Sequence, residues 1–412
     1  MTTHSLIRPF TALRPRPEHA AAVAAPPYDV LSSEEARARA AGKPHSFLHI
    51  SKAEIDLPPE IDHYAPEVYA KSAENLKKLI AADILTREEK PCYYAYRLIM
   101  GTHTQTGLIA VASVAAYDAG RIRKHEFTRL DKEDDRVRQI EALDAQTGPV
   151  LLAHPDSDEA EHLVAAATAA PPIADLTADD GIQHTVWRID DEAVIERIGA
   201  VVEAMPALYI ADGHHRSAAA SRIAATRRGT GAPDSAEYFL SVIFPARRMR
   251  IFDYNRVVRD LNGLSVAAFL EAVGECCTVT PSAAAAKPER AGDFGLYLDG
   301  RWYCLSIRPE LVPVQDPVRR LDVSVLTERI LGPILNITDL RRDTRIDFVG
   351  GIRGLSELER RVNSGEMAVA FAMYPTPLAE LMAVADAGEV MPPKSTWFEP
   401  KLADGLASHV LD

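Results

Sequence analysis

The stretch ALYIADGHHRSAAA, residues 207–220, decides how the chain is read. Residues 207–211 are apolar throughout, the pattern of a strand covered on both faces. Asp212-Gly213 breaks the run, and Ser217, Ala218, Ala219 and Ala220 start a helix at once. A strand that turns directly into a helix puts backbone N–H groups and the positive end of the helix dipole at the corner, which suits an anion. Gly213 removes the Cβ that would block close approach, and Arg216 can grip a phosphate through two parallel hydrogen bonds. Asp212 can hold Mg2+ or orient a hydroxyl. Consecutive histidines at a helix start diverge, so one of His214 and His215, rather than both, is expected at the phosphate. The plainer alternative has Asp212 capping the helix, Gly213 turning the chain and the histidines satisfying buried carbonyls.

Upstream, RKHEFTR at 123–129 leads into KEDDR at 132–136. At the end of a strand His125 and Glu126 alternate sides, which lets Glu126 project into a cleft as a general base or metal ligand. Glu126, Asp212 and His125 are therefore the catalytic candidates, and Gly213, His214, His215, Arg216 and Ser217 the cofactor-binding ones. The charged residues from 132 read as a solvated first turn of a helix over 132–144, with Asp131 as its N-cap. His125, His184, His214 and His215 invite a zinc reading, but neither H-E-x-x-H nor paired cysteine spacing accompanies them. A Walker A loop and a G-x-G-x-x-G turn are also missing, so any nucleotide is bound another way.

Around this centre the periodicity predicts a helix at 64–84, strands at 92–100 and 106–118 joined by a turn at Met100-Gly101-Thr102-His103, and a strand at 149–153. Beyond 240 it predicts a helix at 264–274, a hairpin around Asp299-Gly300, helices at 321–331 and 354–363, and a last strand at 366–374. The fold expected is mixed α/β in three modules, 1–120, 121–240 and 241–412, with the nucleotide corner in the central one. At the start, APPYDV offers Tyr28 and Asp29 to line a substrate pocket, or to pack as a rigid turn on their own domain. Near the end, MPPKSTWFEPK sets Lys394, Ser395 and Lys401 in a proline-stiffened loop. That loop either closes over phosphates or belongs to an arm docked by Trp397 and Phe398.

Composition narrows the class. The 412 residues are 47% hydrophobic and 25% charged, with no apolar run long enough for a bilayer, which excludes fibrous, disordered and integral-membrane readings. Forty-six basic against 59 acidic side chains leave a net charge of −13, which repels nucleic acid and anionic lipid. Cys92, Cys276, Cys277 and Cys304 form no ladder and read as buried thiols, and MTTHSLIRPF lacks an export signal, so the expected address is cytoplasmic.

RPF at 8–10, PPYDV at 26–30, KHEFT with KEDDR at 124–136, ADGHHRSAA at 211–219, YNRVV at 254–258 and MPPKSTWFEPKL at 391–402 resemble, in order, the prokaryotic family DUF1015. The order His-Glu, helix, strand, Asp-Gly-His-His-Arg, helix is also similar to the ParB and sulfiredoxin nucleotide-binding superfamily. There a Gly-x-His-Arg box lies against nucleotide phosphates, which maps onto Gly213, His214, His215 and Arg216. The chain lacks ParB's DNA-binding helices and sulfiredoxin's cysteine. The archaeal free-serine kinase of that superfamily needs neither. This resemblance implies ATP or ADP and Mg2+ as cofactors and a small hydroxyl compound, L-serine foremost, as substrate. Glu126 would deprotonate that hydroxyl and Asp212 assist Mg2+ or substrate. A nucleotide-binding regulator without transfer is the rival reading, a phosphate-ester hydrolase a third, and a homodimer is compatible with each.

Overall fold

The computed structural model describes residues 5–412, and the first four residues, part of the segment read for an export signal, lie outside them. The chain forms two compact units, one running to Met249 and completed by Pro400–Asp412, the other Arg250–Glu399.

The first unit is organised by a nine-stranded mixed sheet. Its seed is local: Tyr93–Met100 and His103–Ser113 pair antiparallel with Met100 opposite His103, and Gly101 takes the left-handed φ of 58° that a two-residue turn requires. Across the sheet the order is Ile122–Arg123, Leu208–Asp212, Val150–His154, Tyr238–Pro245, His103–Ser113, Tyr93–Met100, Gln183–Ile189 and Ala174–Thr177, with Ile7–Arg8 paired to His103–Ser113. Leu6, Tyr93, Leu152, Trp187, Ile198, Val202, Ile210 and Phe239 share one buried cluster, in which the helices Asp158–Ala166 and Glu192–Glu203 meet the strands. A second cluster joins Ile140 of helix Leu130–Leu143 to Ala219 and Ile223 of helix His214–Arg227 and to Leu411 near the C-terminus.

The expected boundary at 120 therefore falls inside one sheet. Strands from the first module and the central module hydrogen-bond to each other directly, Tyr238–Pro245 lying between His103–Ser113 and Val150–His154. Pairing between distant segments leaves no composition signal, so the two modules are one unit. Three local expectations also change. The strand expected over 106–118 stops at Ser113, whose hydroxyl accepts from the Ala116 N–H and starts helix Val114–Asp118. Asp131 is not a cap: helix Leu130–Leu143 follows Arg129, and Asp131 sits in its first turn paired to the Arg129 guanidinium. Cys304 is exposed, unlike the other three thiols, because strand Arg301–Ile307 turns it to the open face.

The second unit is a six-stranded antiparallel sheet ordered Cys277–Ser282, Arg301–Ile307, Asp293–Leu298, Val369–Ala372, Tyr254–Val258 and Ile346–Gly350. Its hairpin turns at Asp299 and Gly300, both left-handed, as the sequence indicates. Near the end Trp397–Glu399 pairs with Arg250–Phe252 inside this unit, with Phe398 buried and Trp397 packed on Tyr254.

Among the described residues no helix is long and apolar enough to cross a membrane. The sheet of the first unit depends on a close approach at Gly107, where a Cβ would lie 2.5 Å from the Ile243 carbonyl oxygen and 2.6 Å from the Phe244 ring. Neither neighbour can yield, because both belong to a fully buried strand. Gly107→Ala is expected to cost about 1–3 kcal/mol by overpacking, read as a lower denaturant midpoint. An unchanged midpoint would contradict the tight strand contact.

Candidate functional site

Strand Leu208–Asp212 runs parallel to Ile122–Arg123, with Leu208 opposite Ile122 and Tyr209 opposite Arg123. Both strands therefore deliver their C-terminal ends, and the residues after them, to the same edge. On its other side the strand pairs antiparallel with Val150–His154, and the register shifts between Ile210 and Asp212. Such a bulge bends the strand and re-aims the residues beyond it. Gly213 then turns left-handed at φ 99°, and a Cβ on it would lie 3.1 Å from Arg216 Nε and 3.3 Å from Val150 Cα. Helix His214–Arg227 starts immediately, with the Ser217 N–H on the Gly213 carbonyl. The strand, glycine turn and helix expected from the sequence are all present at these positions.

The two histidines diverge, and each is turned to the loop that carries Glu126. His214 Nε2 accepts from the His125 backbone N–H at 3.4 Å, and His215 Nε2 accepts from the Arg129 backbone N–H at 3.1 Å. An accepting Nε2 leaves the proton on Nδ1 of a neutral ring. Burial pushes His214 well below its ordinary value, with His125 adding to the effect, and burial also lowers His215. His214 Nδ1 lies 3.7 Å from a Glu126 carboxylate oxygen. His125 packs edge-on against His214 with centroids 4.5 Å apart, and burial lowers it to about 4. The histidines thus hold the 125–129 loop to the helix start. This is nearer to the alternative in which they satisfy buried backbone than to a phosphate contact, although the partners are N–H groups rather than carbonyls.

Arg216 is folded inward. Its Nη1 donates to the Pro149 carbonyl, and its Nη2 is 3.5 Å from Asp212 Oδ2 and 3.8 Å from Asp29 Oδ2. Lys401 Nζ stands 3.7 Å from the same Asp212 oxygen. Burial alone would raise Asp212, but Lys401 and Arg216 outweigh it and bring its pKa to about 2, so it stays ionised. Arg216, despite burial, is held charged by Asp212 and Asp29. Ser217 is buried, its hydroxyl donating to the His214 carbonyl, and does not reach the corner.

Beside Arg216 opens a cleft lined by Tyr28, Arg136, Gln139, Gly148, Arg216 and Asp404 among others. The Arg136 guanidinium stacks on the Tyr28 ring at 3.9 Å and binds Asp135 at 2.6 Å. Burial pushes the Tyr28 hydroxyl up to about 12. Asp404 is buried with Oδ1 unpartnered, and burial raises it to about 7. Tyr28 therefore lines the cleft, and Asp29 lies beside Arg216. Lys394 and Ser395 belong to the other unit, where the Lys394 carbonyl accepts from Arg256 and the Ser395 hydroxyl donates to the Pro392 carbonyl. Sequence reasoning missed Asp404, which belongs to no chemical motif and reaches the cleft because the segment from Pro400 returns to the first unit and bridges Ala25.

Ligand atoms of His125, Glu126 and His214 lie within 4.8 Å of one another. A metal ligand must offer a bare lone pair, and His214 commits Nε2 to a backbone N–H and keeps its proton on Nδ1. This donor set does not fit a cation. Asp212 fits Mg2+ no better, since one of its oxygens already has Lys401 and Arg216 within 4 Å.

A mixed α/β unit with a strand–glycine–helix corner fed by a second parallel strand end is the class that the fold and site define. The family described as "protein of unknown function (DUF1015)" matches residues 7–324, and the chain belongs to it. Among solved structures, a glutamate-to-glutamine variant of a free serine kinase in complex with AMP is similar at 15% identity, over 73% of this chain and 92% of that one, with a TM-score of 0.35. A conserved hypothetical protein from Pyrococcus furiosus gives 15%, 73%, 94% and 0.35, and C-terminally truncated SbnI from Staphylococcus aureus 10%, 72%, 85% and 0.35. No match is found among curated proteins.

Asp404 gives this site a pH signature. Its folded pKa, about 7, lies above the unfolded value, so between about pH 4 and 7 the folded state binds more protons and stability falls as pH rises. Asp404→Asn should remove that slope, with a difference from wild type on the order of a few kcal/mol at pH 8 and little at pH 4. Parallel denaturation curves across that range test it; identical slopes would contradict the burial of an ionisable Asp404.

Proposed function

We propose that the 212–216 corner binds the phosphates of ATP or ADP and that the protein transfers a phosphoryl group to the hydroxyl of a small molecule, L-serine giving O-phospho-L-serine being the leading acceptor. The observation that carries this reading is the Glu126 carboxylate brought to the start of a helix by His214, 3.7 Å away. That pairing puts a base next to a site suited to anions. Phosphoryl transfer asks chiefly for positioning and charge neutralisation, and both are available here. Backbone N–H groups at the helix start and the Lys401 ammonium face the phosphates. Glu126 takes the hydroxyl proton, a new O–P bond forms, and the bond from phosphorus to the ADP oxygen breaks. Asp212, ionised and paired with Lys401, keeps that lysine at the corner.

Phe127, next to the base in the chain, and Leu130, the first residue of the following helix, are 65% and 74% exposed, unusual for residues of their size. A nucleobase is a fitting partner because an aromatic face accepts any purine. Mg2+ shields phosphate charge in reactions of this class; with Asp212 already paired, it would be carried in on the nucleotide.

Glu126→Gln tests the reading. It should lower phosphoserine formation from ATP and serine by at least about 100-fold, while ADP affinity measured calorimetrically changes less than about twofold. Undiminished turnover would remove Glu126 as the base. Nucleotide binding with no hydroxyl phosphorylated by the wild type would leave the regulator reading in place.

A further inference from the structure

Two sequence segments that the candidate site does not use meet inside the second unit. YNRVV at 254–258 supplies Arg256, which is wholly buried at 0% exposure. Its Nη1 donates to the Tyr254 carbonyl and its Nη2 to the Lys394 carbonyl at 2.9 Å. Nε has no partner, the Phe348 ring lies 5.4 Å away, and among the described residues no carboxylate forms an ion pair with it. Burial pulls Arg256 down to about 10, which still leaves it charged at neutral pH. A buried charge without a counter-ion is costly, and its field is poorly screened.

That field falls on the turn at 392–396. Lys394 is a non-glycine residue at φ 60°, a conformation that persists only where its surroundings fix it. Three carbonyls of the turn are turned inward: Pro392 accepts from the Ser395 hydroxyl, Lys394 from Arg256 and Ser395 from the Thr376 hydroxyl. A left-handed residue in a turn swings successive N–H groups to one side, the arrangement known to cup anions. The Lys394 side chain is exposed, with Nζ 5.6 Å over the Tyr254 ring, which in turn packs edge-on against Trp397 at 5.2 Å. Gly350 lets Trp397 lie flat against it, where a Cβ would be 3.1 Å from the indole. The turn thus has three of its carbonyls engaged, is backed by a guanidinium without an ion pair and carries an exposed lysine.

We propose that this turn is an oxyanion site of the second unit, with a phosphate group as its ligand. Lys394 contacts the anion, and Arg256 is a positioning residue that fixes the turn and whose missing counter-charge the anion supplies. The site stands independently of the phosphoryl transfer proposed for the first unit.

Calorimetric titration of the full chain with pyrophosphate, with inorganic phosphate and acetate as further probes, tests it. Lys394→Gly removes the ammonium and suits the left-handed backbone, so the fold is kept. The variant should lose one pyrophosphate site, or weaken it at least about tenfold, with acetate binding negligible in both proteins. Arg256→Lys, which retains the charge but not the fork, should weaken the same site. The same number of sites at the same affinity in wild type and Lys394→Gly would overturn the proposal. If the first-unit reading alone is wrong, the wild type shows only the site that Lys394→Gly abolishes, so the two failures are distinguishable.

Discussion

The corner of the first unit depends on one contact: the Arg216 guanidinium folded back beneath Gly213 onto the Pro149 carbonyl, between the carboxylates of Asp212 and Asp29. The contact explains why residue 213 has no side chain, because a Cβ would meet Arg216 Nε and Cζ as well as the Val150 backbone. It also ties three distant segments together: the turn after Pro27, the strand start at Val150 and the helix start at His214. With the arginine committed to this task, a phosphate bound at the corner, as proposed, would be met by backbone N–H groups and by Lys401, which stands 3.7 Å from Asp212.

Histidine tautomers carry the next layer of order. Both Nε2 atoms accept from backbone N–H groups of the 125–129 loop, which favours neutral rings, and burial lowers both histidines in the same direction. A loop with no regular structure of its own is thereby anchored at two points four residues apart. Glu126 sits between those anchors, and its placement is a consequence of helix geometry: consecutive side chains at a helix start point in different directions, so each histidine reaches a different part of the loop.

Where the causes are local, the structure is legible in the sequence. The 207–220 strand, turn and helix, the Met100–His103 turn and the Asp299-Gly300 hairpin all arise from side-chain period and glycine placement. The features that stay hidden depend on distant partners. The merging of residues 93–113 with 150–154, 208–212 and 238–245 into one sheet is decided by pairings between residues 56 to 135 positions apart, such as Tyr209 with Ala153 and Ile243 with Leu108. Arg216 looks like a phosphate fork until Pro149 and Asp29 are seen beside it, and Asp404 carries no motif at all. Asp131 has the residue type of a cap, but Arg129, two residues earlier, holds its carboxylate.

The most direct measurement is a crystal structure of the full chain grown with ADP. The account predicts phosphate oxygens within hydrogen-bond distance of the backbone N–H groups at the start of helix His214–Arg227, with Lys401 alongside and Arg216 still on the Pro149 carbonyl. Well-ordered nucleotide seated elsewhere while that helix start binds only solvent would contradict it.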